Sequence, residues 1–579
     1  MSLRRNFWKR IPEKHLSIMR REIFTIDEPI GSPFLELYGG QNKEIYQYLF
    51  DGHSPYLYEK MGQTPSIIVG RKGSGKTTYL NNISFKDNVL PVQLNSWEAV
   101  EEVQQIVQTY MDCGQEPRAE RIGYIWQWMF LCAIVRELAP SIKELRDLDE
   151  FNSLITAKEF ARSGLSAVTT LINSKLRAYY SGDPNLRETS LVLSLISNRA
   201  ERLDHLQNKV ADILASLGRT AIVLIDNEED VMTNTSQNSI DSTAKGKAIS
   251  GLLNLCGRYN KGSMNIQIRY CIPAEQFLSF RNLSKSEGKD FSSLHLLHWS
   301  SGELLSLVAH RMMLRLFVYK DSDDVSAELY NKLAKINIYD RQGAKVFIKE
   351  ILPEEFLNHR GLPEDSLAYL LRHLQILPRQ IIRLFNAMLS RNLMLRLPLL
   401  PIRADVFKDS IREEEDKLAY EIVGAYRTSY PEALAIRDRV LPNIPLIFTY
   451  QDLPKYYGGN EDFSSGKSVL KEYRKHGIAV SPDRFLRCLI ETGMIGRVRS
   501  LGDFDANGYI NAEFEYSMPE TIQLCNSDRL VIHPVFCGQR VESANSSFGE
   551  GCLGVYPHDC DPDSQINRSI LKSKFIGSR

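Results

Sequence analysis

Ser66 to Leu80 reads SIIVGRKGSGKTTYL, and the fold follows from how this stretch is read. Ser66, Ile67, Ile68 and Val69 form a short run rich in β-branched residues, the pattern of a buried strand. The turn Gly70-Arg71-Lys72-Gly73-Ser74-Gly75 comes next, and Lys76, Thr77 and Thr78 open a helix. The spacing fits G-x-x-x-x-G-K-[ST], a phosphate-binding loop, with the required strand before it and helix after it. Glycine tolerates positive φ, so Gly70, Gly73 and Gly75 let consecutive backbone N–H groups curl around a phosphate, with Lys72, Ser74 and Thr78 completing the lining. The helix that starts there adds its positive dipole end. Lys76 is expected to reach the β- and γ-phosphates, and the Thr77 hydroxyl to bind Mg²⁺. The stretch predicts a nucleotide site.

The rest of the composition bounds that reading. The chain has 579 residues, enough for two to four domains, with 43% hydrophobic and 25% charged residues. Its 71 basic and 71 acidic residues cancel, so any attraction for nucleic acid must come from a local patch. No apolar run approaches the roughly 18 residues of a membrane span. The N-terminus, MSLRRNFWKR, is basic but is followed by no apolar signal core, which predicts a cytoplasmic protein. The nine cysteines are scattered and form no C-x-x-C pair, so neither a zinc site nor a redox pair is expected.

Residues 1–60 form a lead-in with the loop DEPIGSPF and a dense set of tyrosines read as core packing. Residues 61–300 hold the strands. Val89 to Leu94 is a second strand, and residues 97–217 are a long helical insertion, in which Tyr124 to Leu138 is apolar all round and therefore a buried helix. The second chemical landmark is Thr220 to Asp230, TAIVLIDNEED. Ala221 to Ile225 is a buried strand, and Asp226 at its end fits the Walker B position, where a carboxylate holds the Mg²⁺ shell opposite the loop threonine. Asn227 follows, then Glu228, Glu229 and Asp230; the general base is Glu228 or Glu229, or is missing. IQIRYCI (Ile266 to Ile272) and LHLLHW (Leu294 to Trp299) are further strands. Strands separated by helices argue for a parallel three-layer α/β core.

Residues 301–400 are helical, with Arg311 and Arg315 at helical spacing among apolar positions. Pro378 suits the first position of a helix, and Arg379 then sits in the first turn, where a cation opposes the dipole and invites a functional account. The composition turns toward charge between Pro398 and Asp416, read as a domain boundary. Residues 401–540 then combine helices with a hairpin, Gly493–Arg499 returning through Tyr509–Tyr516, as in a winged helix. Its basic residues Lys467, Lys471, Arg474, Lys475, Arg484, Arg487, Arg497 and Arg499 make DNA one candidate partner, against a winged helix that serves only packing or oligomerisation. Asp503 to Gly508 matches the start of a calcium loop but lacks the twelfth ligand and reads as a turn. The tail, 541–579, is expected to be irregular.

Taken together, GRKGSGKTT, VLIDNEED, LHLLHW with the helix carrying Arg311, RHLQILPRQII and the hairpin ending in IHPVF resemble a bacterial family of P-loop ATPases related to the AAA+, STAND and KAP groups. The resemblance covers roughly residues 40–536. It implies a three-layer P-loop NTPase core, a helical lid and a C-terminal winged helix, with ATP and Mg²⁺ as ligands. It implies that Arg379 is a second sensor of the nucleotide, and it makes Arg281, between the last two strands, an arginine-finger candidate. Some relatives belong to phage-defence systems in which ATP-driven assembly controls an effector, so a homo-oligomer or an effector protein is the implied partner. The expected function is ATP binding and hydrolysis coupled to assembly or partner control. The alternatives are a nucleotide-gated scaffold with negligible turnover and a DNA-binding loader.

Overall fold

In the computed structural model of the chain, residues 11–34, 43–50, 65–84, 88–148, 157–182, 201–226, 243–259, 265–320, 325–358, 360–459, 464–475, 478, 480–499, 508–517, 522–538 and 552–562 are described. The described residues of Tyr58–Arg71 and Lys76–Leu297 form one compact unit. Those of Met1–Leu57, Lys72–Gly75 and His298–Lys574 form the other.

The first unit is built on strands β1 (Ile67–Gly70), β2 (Val89–Asn95), β3 (Thr220–Asp226), β4 (Ile266–Pro273) and β5 (Leu294–Leu297). They lie in the order β2-β3-β4-β1-β5, every pair parallel. Parallel neighbours need crossover connections, and the segments joining these strands supply helices for them. β1 is buried along its length, as its Ile-Ile-Val run requires. The consequence for function lies in the position of β4. It enters between β1 and β3, with Gly70 level with Pro273 and Asp226 level with Cys271. The loop after β1 and the acidic end of β3 therefore emerge at the same edge, the edge where open α/β sheets bind ligands. This is the α/β architecture of a P-loop NTPase core.

The long insertion folds as helices, among them Ser96–Asp112, Ala119–Leu138, Ala157–Tyr180 and Glu201–Ser216. Asn95 starts the first by accepting the Glu98 N–H at 3.1 Å. In Ala119–Leu138 every residue from Ile125 to Val135 is buried, so the all-apolar pattern marks an interior helix. It packs on the helix Ala244–Tyr259, to which Trp126 Nε1 donates at the Ala248 carbonyl, 2.8 Å away. The two helices approach through glycines. A Cβ on Gly123 would lie 3.3 Å from the Gly251 carbonyl oxygen, and one on Gly251 would overlap the Ile122 side chain.

In the second unit, Ser301–Val318 opens with a capping box made by Ser300 and Glu303. Pro378–Met394 begins with its proline, as expected. Ala404–Ala425 is a single helix beginning well before Lys417, and it packs against Pro378–Met394 through Arg383, which pairs with Glu414 at 2.6 Å and also with Glu421. A short antiparallel pair, β6 (Glu355–Leu357) and β7 (Pro363–Asp365), precedes a five-stranded sheet. That sheet contains β8 (Ile447–Thr449), β9 (Ile495–Val498), β10 (Tyr509–Glu513), β11 (Arg529–Ile532) and β12 (Gly554–Pro557), in the order β12-β10-β9-β11-β8. The hairpin is present as the antiparallel pair β9–β10. The tail differs from expectation. Gly554–Pro557 pairs in parallel with β10, because Gly554, Val555 and Pro557 bury against the sheet and the strand's backbone groups need partners. Asp503 to Asn507 lie outside the described residues.

The glycine contact makes a stability prediction. Gly251→Ala should cost about 1–3 kcal/mol through overpacking. Gly424→Ala, where a Cβ meets nothing within 4 Å, should be neutral or stabilise by about 0.5–1 kcal/mol. Urea unfolding followed by circular dichroism should show a lower midpoint for the first variant alone.

Candidate functional site

The phosphate loop has the backbone its glycines permit. Gly73 has φ 82° and Gly75 φ 90°, both in the left-handed region that costs a Cβ-bearing residue about 1–2 kcal/mol. Lys76 is the first residue of the helix Lys76–Ser84. Its Nζ donates to the carbonyls of Gly70 (3.0 Å) and Arg71 (3.2 Å), so the ammonium is folded over its own loop. Ser74 is 2% exposed and its Oγ has no hydrogen-bond partner among the described residues. Thr78 is buried one turn further in.

Asp226 reaches this loop across the sheet. Thr77 Oγ1 donates to Asp226 Oδ2 at 2.5 Å, joining residues 149 positions apart. Cys271, beside Asp226 in the register, senses both charges of the site: burial pushes its thiol well up, the Asp226 carboxylate pushes the same way, and Lys76 opposes. The side chains fit the group the motif implies. A hydroxyl and a carboxylate brought together are the hard oxygen donors Mg²⁺ takes. The positive-φ glycines and the orphaned Ser74 hydroxyl suit a bound phosphate. Asn227, Glu228 and Glu229 lie outside the described residues.

Arg379 is the second residue of Pro378–Met394, in the unit that includes Lys72–Gly75. Its N–H donates to the Gly73 carbonyl at 3.4 Å. A Cβ on Gly73 would lie 3.2 Å from Arg379 Cβ, so the arginine stem rests on the loop. Its guanidinium lies 4.5 Å above the Phe34 ring, and its Nε is buried without a hydrogen-bond partner among the described residues. Trp299 was legible only as the end of a strand. β5 in fact stops at Leu297, and the buried Trp299 Nε1 donates to the Ser74 carbonyl at 2.8 Å. The signal was a large aromatic whose N–H needs a partner once buried.

Other arginines are accounted for locally. Arg281 pairs with Glu287 at 2.8 Å. Arg311 and Arg315 are buried and donate to the carbonyls of Ser32 (3.1 Å) and Pro29 (3.2 Å). In the basic cluster of residues 467–499, Arg484 pairs with the buried Glu432, Arg497 and Arg499 with Glu513 (2.7 and 3.1 Å), and Arg487 with Asp483 (3.2 Å). Lys471, Arg474 and Lys475 are on the helix Ser464–Lys475. A cavity of about 900 Å³ opens beside this sheet, lined by Lys345, Lys349, Arg499, Tyr509 and Tyr556 among others. Two of its cations are paired, Lys349 with Asp365 at 2.8 Å and Arg499 with Glu513.

No family model matches the chain, and no curated protein does. Among solved structures it is similar to the ORC2 protein of Aeropyrum pernix, determined as ADPNP–ADP complexes. The two share 11% identity over 84% of this chain and 89% of that one, with a TM-score of 0.32. It is also similar to a Walker-type ATPase of Pyrococcus abyssi, at 12% identity over 89% of this chain and 100% of that one, with a TM-score of 0.32. The fold assignment rests on the sheet order and the loop, not on these likenesses.

Two glycines with similar backbone angles separate loop geometry from general strain. Gly73→Ala and Gly114→Ala both place a Cβ at positive φ (82° and 72°), but only the first lies in the loop. Titration with a fluorescent ATP analogue should show about tenfold weaker binding for Gly73→Ala. Gly114→Ala, which meets nothing within 4 Å, should bind as the wild type does.

Proposed function

We propose that this chain binds Mg·ATP at the loop 70–78 and hydrolyses it, coupling nucleotide state to assembly or to control of a partner protein. The observation that carries the reading is the Thr77–Asp226 hydrogen bond, which brings the two oxygen donors of the motif together across the sheet. The loop amides and the helix start hold the phosphates, and Lys76 swings from the Gly70 and Arg71 carbonyls to the β- and γ-oxygens. Thr77 and Asp226 would hold Mg²⁺, which neutralises charge on the transferring phosphoryl group. Glu228 or Glu229 orients the attacking water and takes its proton. Arg379, resting on Gly73, offers its guanidinium to the phosphates that Lys72–Gly75 cradle and acts as the sensor of nucleotide state. The likeness in motifs to AAA+ and STAND ATPases, including those of defence systems, makes a second copy of the chain or an effector protein the partner class.

One observation favours a slower variant of this reading. The residue after Asp226 is Asn227, whose amide cannot accept a proton as a carboxylate does. A nucleotide-gated scaffold with little turnover is the form the function takes if neither glutamate reaches the water. The winged-helix reading of residues 401–540 stands on the β9–β10 hairpin and the helices before it. A DNA-binding role draws less support, because four of the arginines proposed for it are held in ion pairs.

Phosphate release measured for the wild type and for Lys76→Ala tests the assignment. The Lys76 variant should lose at least about 100-fold in turnover, since it removes the charge aimed at the transition state. Undiminished hydrolysis in that variant ends the assignment. Glu228→Gln and Glu229→Gln, assayed alongside, identify the base by which of them stops turnover while ATP binding persists. Light scattering with and without ATP reports the assembly.

A further inference from the structure

The segment 29–34 is clamped by side chains from two helices of its own unit. From Ser301–Val318, Arg311 donates to the carbonyls of Ile30 (3.4 Å) and Ser32 (3.1 Å), and Arg315, one turn on, donates to that of Pro29 (3.2 Å). From Pro378–Met394, Asn386 accepts the Ile30 N–H at 2.9 Å and donates to the Gly31 carbonyl at 3.0 Å. Ile30, Ser32, Arg311, Arg315 and Asn386 are all buried, so each of these bonds is costly to break. The Phe34 N–H then donates to Ser32 Oγ at 3.1 Å, which continues the fixed backbone to the phenylalanine.

Phe34 is where this strap meets Arg379. Asn386 lies seven residues, about two turns, beyond Arg379, so both sit on one face of the helix. That face thus holds the strap's backbone with Asn386 and its aromatic ring with Arg379, 4.5 Å from guanidinium carbon to ring centre. The arginine stem also lies against Gly73, a Cβ there falling 3.2 Å from Arg379 Cβ. A first-turn cation is disfavoured by the helix dipole and carries large rotamer freedom; a ring face held in place offsets both.

We infer that Phe34 is a positioning residue for Arg379: the clamped 29–34 strap holds the guanidinium against the phosphate loop, ready for the nucleotide. The inference rests on the nucleotide reading above. It differs from mere packing in one respect, since its effect must pass through the arginine.

A double-mutant cycle reads that difference. A fluorescent ATP analogue with Mg²⁺ is titrated into wild type, Phe34→Leu, Phe34→Tyr, Arg379→Ala and the Phe34→Leu/Arg379→Ala pair, each checked for native circular dichroism. Phe34→Leu should weaken binding about threefold to tenfold. Phe34→Tyr, which keeps the ring face, should stay within about twofold of the wild type. In the Arg379→Ala background, Phe34→Leu should have no further effect. An equal loss in both backgrounds, or none in either, overturns the inference and leaves the nucleotide reading intact. A wild type that does not bind the analogue ends the nucleotide reading, and the inference with it.

Discussion

The candidate site depends on a register. β4 lies between β1 and β3 with Gly70 level with Pro273 and Asp226 level with Cys271. Only with the strand tips level can Thr77, one residue into the helix, donate to a carboxylate that comes 149 residues later in the chain. A parallel sheet sets this without freedom, because each pairing fixes the height of the next strand and a slip of one residue would turn Asp226 to the opposite face. The helical insertion between β2 and β3 is long, yet it leaves the register untouched, since a crossover is constrained only at its ends.

A second theme is the use of buried arginines as backbone ligands. Arg311 and Arg315 look functional in a list of charged residues on an apolar helix. In the fold they bond the carbonyls of a segment that has no sheet or helix of its own to satisfy them. Buried carbonyls must find donors, and an arginine offers several from one side chain. The same logic ties β7 to the C-terminal sheet. Buried Glu364 accepts from Tyr509 (2.9 Å) and Arg372 (3.3 Å), while Arg372 also donates to the Leu553 carbonyl (3.4 Å). Such networks specify one arrangement because removing any member leaves an unpaired buried polar group.

The zero net charge of the chain has a local counterpart in residues 432–513. Four of the arginines that read as a basic patch along the sequence, Arg484, Arg487, Arg497 and Arg499, are drawn into pairs with Glu432, Asp483 and Glu513. Pairing with a buried carboxylate such as Glu432 holds the side chain in place and removes it from the pool of mobile cations that phosphate binding draws on. Spacing along the sequence is thus a poor guide to surface potential when the acids that neutralise the arginines include ones as distant as Glu432, 52 residues before Arg484.

What the sequence determined by itself was local and chemical. The strand, loop and helix from Ser66 to Leu80, the acidic strand ending at Asp226, the buried helix around Trp128 and the proline opening a helix at Pro378 all follow from spacing and residue type, because the forces that set them act within a few residues. The hairpin was legible for the same reason. Tertiary structure alone decided the sheet order, the pairing of the tail strand Gly554–Pro557, the partner of Trp299, and the meeting of Phe34 with Arg379. Each of these joins residues far apart in the chain, where the choice among partners is made by burial and by the demand that every buried donor find an acceptor, and neither leaves a mark in the spacing of residues along one strand.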